Sequence, residues 1–311
     1  MQLQRSSEAK FIIVSISVQP FLSLDFNYNT NSDGNVLGRL ITYFKQLGAD
    51  MVLDMSICDD IALLEHKKEF IKRFRAKNND GVKNVIPMLA SSCPGFVCYA
   101  EKTHGDFILP YIANTKSPQQ IMGSLVKLWL KDKIGGKEIY HVTVMPCYDK
   151  KLEAAREDFK NAVTLEKDVD CVITAIEIQQ MFMKDGTNLL NLPPSNFSDP
   201  WISVDREEMA ISTATVGSAS GGYAEYIARY TTQELFGKRP EDLKYISVVR
   251  NSDLHEVTVL DGNETLLRIA VINGFKNIQN LVRKLKRKKF EYDYVEVMAC
   301  PSGTVQCFIC N

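Results

Sequence analysis

Three apolar stretches, each ending in a cysteine at a turn, constrain this chain more than anything else in it. Ile139–Met145 has the length and β-branched content of a buried strand; Pro146 stops it and Cys147 sits at the turn. Asn84–Ala90 leads to Cys93, followed by Pro94, and Tyr292–Ala299 leads to Cys300, followed by Pro301. A cysteine at the carboxyl end of a buried strand lies where open α/β sheets place their ligands. After Cys147, Asp149 can cap a helix through Lys150–Ala154. The positive end of that helix and two lysines, Lys150 and Lys151, would favour a thiolate there. If the three strands belong to neighbouring sheets, their thiols can converge. Convergent thiolates suit zinc or an iron–sulfur cluster and need no imidazole.

The rest of the chain alternates strand and helix, which argues for parallel sheets joined by right-handed crossovers. Phe11–Val18 reads as a central strand, and Asn35–Gly48 as a helix stopped by glycine. Asp50–Asp54 is a short strand, and Asp60–Lys77 a charge-rich helix ending in basic residues. Pro118–Lys131 begins a helix with proline in its first turn. Val169–Thr174 is a strand and Glu177–Lys184 a helix. Asn188–Arg206, with Pro193, Pro194 and Pro200, is the clearest irregular stretch. Beyond it come the strands Tyr245–Arg250, His255–Val259 and Thr265–Val271 and the helix Phe275–Arg287. The expected architecture is therefore α/β, with two lobes of mainly parallel sheets flanked by helices. The first lobe spans 1–184, an irregular crossing 185–216 and the second lobe 217–311.

Composition removes several classes of function. Lys and Arg number 37 against 38 Asp and Glu, so no general nucleic-acid surface or acidic tail is indicated. The basic run Arg283–Lys289 is read as the solvated end of a helix rather than a binding patch. Eight cysteines are too few for a disulfide scaffold in a chain of this length and fit metal ligands or buried thiols in a reducing compartment. The N-terminal MQLQRSSEAK lacks the apolar core of a signal peptide, and no run reaches membrane-spanning length, so a soluble cytosolic protein is expected. Gly217, Ser218, Gly221 and Gly222 precede a helix. Without the lysine of a P-loop or the spacing of a dinucleotide fingerprint, they read as a tight turn that permits close backbone approach. Cys58, Cys98 and Cys171 read as core or incidental, and His104 as a structural hydrogen-bonding residue.

Four ordered segments carry a resemblance: Ala90–Gly105 (ASSCPGFVCYAEKTHG), Met145–Arg156 (MPCYDKKLEAAR), Gly217–Ile227 (GSASGGYAEYI) and Val295–Gly303 (VEVMACPSG). They resemble the iron-only hydrogenase-like proteins over nearly the whole chain. The likeness is greatest to the branch working in cytosolic iron–sulfur protein assembly, called Nar1 or nuclear prelamin A recognition factor-like. The resemblance implies a site in the cleft between the lobes, holding a [4Fe-4S] cluster through Cys93, Cys147 and Cys300. It also implies a non-enzymatic adaptor or carrier in the cytoplasm, with a nuclear pool as well. Such an adaptor would work between an early scaffold and a late targeting complex of WD40-type and associated proteins, without nucleic acid or membrane.

The departures from the family pattern define the alternatives. Thr304 stands where the family continues with a further cysteine, leaving Cys307 or Cys310 as candidate fourth ligands. The family's N-terminal cysteine-bearing region and C-terminal extension have no counterpart here, which reads as truncation at both ends. Hydrogenases carry a second cysteine as proton donor beside the first ligand, and here that neighbour is Ser92. Proton–dihydrogen chemistry is accordingly disfavoured. A cluster-free interaction protein is the remaining alternative.

Overall fold

The computed structural model describes residues 10–20, 22, 24, 35–77, 86–161, 165–198, 200–201, 222–301 and 303. In chain order it begins with β1 (Phe11–Ile16), α1 (Val36–Gln46), β2 (Met51–Asp54) and α2 (Ser56–Ala76). Next come β3 (Met88–Ala90), α3 (Pro94–Ile108), α4 (Pro118–Ser124), β4 (Ile139–Met145) and α5 (Asp149–Ala154). β5 (Cys171–Thr174) and α6 (Ala175–Asp185) follow, then α7 (Tyr223–Tyr230) and α8 (Thr232–Phe236). The C-terminal elements are β6 (Lys244–Asn251), β7 (Leu254–Asp261), β8 (Glu264–Asn273), α9 (Phe275–Lys286) and β9 (Tyr294–Met298).

These elements form two compact units, each with one sheet. The first holds the described residues of 1–59 and 118–211. Its sheet has the order β2-β1-β4-β5 and is parallel throughout. Successive residues of a strand point to opposite faces, and helices cover both faces of a parallel sheet, so β1 is apolar almost throughout. Ile12, Val14 and Ile16 pack with α1 and α6 on one side, while Ile13 packs with Leu53, Met122 and Met145 on the other. Asn35 starts α1 by accepting the Gly38 N–H at 2.7 Å, and Gly48, at φ +105°, follows its end. The expected helix Pro118–Lys131 widens to π-helical geometry over Leu125–Leu130.

The second unit holds the described residues of 60–117 and 212–306. Its sheet has the order β3-β9-β8-β7-β6, parallel across β3, β9 and β8 and antiparallel from β8 to β6. This grouping departs from the boundaries read from the sequence. Residues 60–117, expected in the first lobe, belong with the C-terminal part because β3 pairs with β9 in the register Met88↔Tyr294, Leu89↔Val295 and Ala90↔Glu296. The antiparallel β6–β8 meander was also not anticipated; two tight turns, one through Gly262 and Asn263, replace helical crossovers there. On one face of the sheet, Leu89, Ile272, Val295 and Val297 pack against Phe96 and Ala100 of α3 and Ile278, Leu281, Val282 and Leu285 of α9. Among the described residues, no helix is long and apolar enough to cross a membrane.

Candidate metal centre

Parallel strands that are hydrogen-bonded neighbours end at the same edge of their sheet. β3 ends at Ala90 and β9 at Met298, and the cysteines follow within three residues of each end. Cys93 is the N-cap of α3, in extended conformation, with Pro94 in the first turn. The backbone N–H groups of Ala299, Phe96 and Gly95 face its sulfur, and Cys300 lies close enough to act on it electrostatically. Burial pushes the Cys93 thiol up from its ordinary range. The three N–H groups pull the other way, an ionised Cys300 would add to the rise, and the net shift is upward.

Ser91 holds this turn in place. Its hydroxyl donates to the Val297 carbonyl at 2.6 Å and accepts the Cys93 N–H at 3.1 Å, tying the β3 exit to β9. On the other flank, the Gly274 N–H donates to the Met298 carbonyl at 2.9 Å. Gly274 has φ +76°, and a side chain there would face Pro301 at 3.8 Å. Behind β9, the buried Glu296 carboxylate accepts the Ala224 N–H at 2.9 Å and fixes the start of α7. Sequence reasoning missed Ser91, the N–H donors and Glu296. Only Glu296 left a signal, a charge inside the apolar run Val295–Met298.

Cys147 belongs to the first unit, two residues past the end of β4, and is half-buried. The helix after it is only six residues long. Asp149 is its first helical residue rather than its cap, Tyr148 being the N-cap. The two lysines expected to favour a thiolate at Cys147 are both engaged with other partners. Lys150 is buried and pairs with Glu153 at 2.9 Å; Lys151 reaches the Val172 carbonyl at 2.6 Å and Glu177 at 2.9 Å. A buried ammonium needs a carboxylate or carbonyl partner, which Lys150 finds in Glu153; Lys151, part-exposed, is paired as well.

The structure thus brings Cys93 and Cys300 together, and among the described residues no group of three or more His, Cys, Asp and Glu is arranged to hold a metal ion. Thr304, Cys307, Cys310, Gly217, Ser218 and Gly221 lie outside the described residues. Cys58 is buried, with its thiol pushed well above the usual range by burial, as a core residue should be. Cys171 lies beside the Tyr140 hydroxyl. His104 lies 3.3 Å from the Tyr99 hydroxyl, which agrees with its structural reading.

Thiols at the exits of adjacent parallel strands, with backbone N–H groups aimed at sulfur, can ligate a soft metal centre. The hydrogen bonds lower the charge density on a bound thiolate. The chain belongs to the iron-only hydrogenase large subunit, C-terminal domain family, whose description matches residues 10–307. Within curated proteins it is 50% identical over 304 residues to a probable cytosolic Fe-S cluster assembly factor of Anopheles gambiae, covering 95% of this chain and 61% of that protein. A similarly named protein of Aedes aegypti is 50% identical over 299 residues, with 94% and 60% covered. The chain therefore spans about three fifths of the length of these relatives. Among solved structures it is similar to [FeFe]-hydrogenase HydA1 of Chlamydomonas reinhardtii. In one variant the TM-score is 0.77 at 25% identity, over 96% of this chain and 80% of that one. An apo form of the enzyme gives 0.76 at 24%.

Proposed function

We propose that this chain is a non-enzymatic, cluster-holding component of cytosolic iron–sulfur protein assembly. Cys93 and Cys300, together with Cys147, are the thiolate ligands in this reading, and a [4Fe-4S] cluster is the group they hold. Such a group supplies electron storage or a transferable cargo; the chain itself supplies thiolates, backbone N–H groups and exclusion of water. The observation that carries the reading is the pairing of Cys93 and Cys300 at one sheet edge, in a chain half identical to proteins named as assembly factors. Ser92 beside Cys93 speaks against proton delivery to a hydrogen-forming centre, because a serine hydroxyl does not ionise near neutral pH as a thiol can. Partners on this reading are an early scaffold and a late WD40-type targeting complex, in the cytoplasm and with a nuclear pool.

Anaerobic reconstitution with iron and sulfide tests it, read by absorbance near about 400 nm, iron content and electron paramagnetic resonance. Wild type should bind about four irons per chain, the content of a [4Fe-4S] cluster, and Cys93→Ala, Cys147→Ala and Cys300→Ala should each lose most of them. Zero iron in the wild type, or full loading in all three variants, would refute the ligand set. Hydrogen evolution with an artificial electron donor would refute the non-enzymatic reading.

A further inference from the structure

The C-terminal end of α9 and the chain that returns from it border an open concavity of about 470 Å³ within the second unit. That volume lies in the range of small-ligand sites, roughly 300–1,000 Å³. Arg283, Lys284, Arg287 and Lys289 line it, with the amide side chains of Asn277 and Asn280. Its apolar part includes Leu281 together with the rings of Phe290 and Tyr292. The concavity has a local cause. The Lys289 N–H bonds the Lys284 carbonyl and the Lys288 N–H the Leu285 carbonyl, a C-terminal motif that reverses the chain through a left-handed residue. That residue is Lys288, at φ +52°, a conformation that favours glycine. The reversal carries Lys289, Phe290 and Tyr292 back over the helix, so cations and rings face the same space.

A merely solvated helix end accounts for less than this. The helix dipole is complemented by basic residues in the last turn, where Arg283, Lys284 and Lys286 lie, but Lys289 lies beyond it. No ion pair engages Arg283, Lys284, Arg287 or Lys289 among the described residues, while Lys286 lies over the Phe107 ring. Glu256 is a carboxylate that interacts electrostatically with Lys284, and it is already held by the Arg250 guanidinium at 2.8 Å and by the Tyr292 hydroxyl. Four exposed cations therefore line one concave site, and Glu256, the carboxylate that acts on Lys284, is engaged by other partners.

We propose that this pocket binds a phosphate-bearing small molecule with a flat or apolar body. The two guanidiniums suit bidentate phosphate contacts, and the two lysines act as point charges beside them. Phe290 and Tyr292 offer ring faces and edges to the body of the ligand. The site is separate in residues from the cysteine site and does not depend on the cluster reading.

The experiment is isothermal titration of the full chain with ATP, inorganic pyrophosphate and adenosine, at two salt concentrations. ATP or pyrophosphate should bind, adenosine alone should not, and affinity should fall as salt rises. The double variant Arg283→Gln/Arg287→Gln, at two exposed positions, should keep its far-ultraviolet spectrum and lose about tenfold or more in affinity. ATP should bind tighter than pyrophosphate, because the rings hold the body of the ligand; equal binding of the two would overturn the role given to Phe290 and Tyr292 and with it the proposed ligand class. No binding of either at millimolar concentration would overturn the proposal, as would affinity unchanged in the folded double variant. Binding of an oligoglutamate peptide without ATP or pyrophosphate binding would also overturn it and make this face a protein-docking surface.

Discussion

Each unit contains one fully or nearly buried histidine, and the pair makes stability depend on pH in a calculable way. In the first unit, His141 is wholly enclosed: its Nδ1 lies 3.0 Å from the Asp168 carbonyl, and its Nε2 lies 2.9 Å from the Ser15 hydroxyl. In the second, His66 is packed against the Tyr223 ring at 4.7 Å and its Nδ1 has no hydrogen-bond partner. Burial, the largest influence on both, pushes each imidazole down from 6.5 to about 4. Between these values the unfolded chain takes up a proton that the folded chain refuses. The stabilisation is therefore present above pH 6.5 and lost as pH falls towards 4. At about pH 5 the linkage amounts to about 2 kcal/mol for each histidine. With a urea dependence of about 2 kcal/mol per molar, each unit's midpoint should fall by roughly 1 M between about pH 7.5 and pH 5. Glu69, Glu177 and Glu256 are held below their ordinary 4.5, so their own losses come later, at lower pH. Urea titrations followed by circular dichroism and tyrosine fluorescence would measure this. His66→Phe keeps a ring against Tyr223 and removes the titrating group, so it should flatten the second unit's response and leave the first unit's intact. Equal midpoints at the two pH values, or an unchanged response in His66→Phe, would refute the reasoning.

Two further outcomes follow from the second unit. The Tyr294 hydroxyl is fully buried with no hydrogen-bond partner, while its ring meets Phe70 edge-on at 5.4 Å. Tyr294→Phe should therefore stabilise the protein by about 1 kcal/mol, raising the melting temperature by about 2–4 °C, and a clear decrease would show that the hydroxyl is satisfied. Ser91→Ala removes the link from the β3 exit to Val297 and leaves the Cys93 N–H without its acceptor. It should cost about 1–3 kcal/mol in denaturant titration and shorten the lifetime of reconstituted iron, which Ser91→Thr should partly restore.

Strand positions were legible wherever a run was apolar on both faces. Ile139–Met145 appears with the bounds its sequence suggests, and the three cysteine-ended runs do end as strands at or near Ala90, Met145 and Met298. The Thr174–Glu177 pair was present in the sequence as a capping box, and it sets the start of α6 a residue after β5. The grouping of elements was not legible, because it depends on β3 finding β9 rather than a neighbour in sequence. No local pattern encodes that choice. The lysines after Cys147 were misread for a related reason: Lys151 is neutralised by Glu177, and sequence spacing does not show two such residues meeting. The antiparallel meander could have been read from the Gly262–Asn263 turn between alternating residues, a hairpin signal of known type.

The sheet of the second unit also explains why its parallel half carries the candidate site. β3, β9 and β8 run the same way, so their carboxyl ends reach one edge together. β3 delivers Cys93 to that edge and β9 delivers Cys300. The exit of β8 supplies Gly274, which at φ +76° donates its N–H to the Met298 carbonyl. β7, antiparallel to β8, cannot contribute in the same manner, since it arrives at that edge with its amino end. Two cysteines far apart in sequence thus need no shared motif to meet. They need only sit at the same place after strands that pair in parallel, and the backbone N–H groups of the following turn and helix then point at sulfur because of where the strands stop.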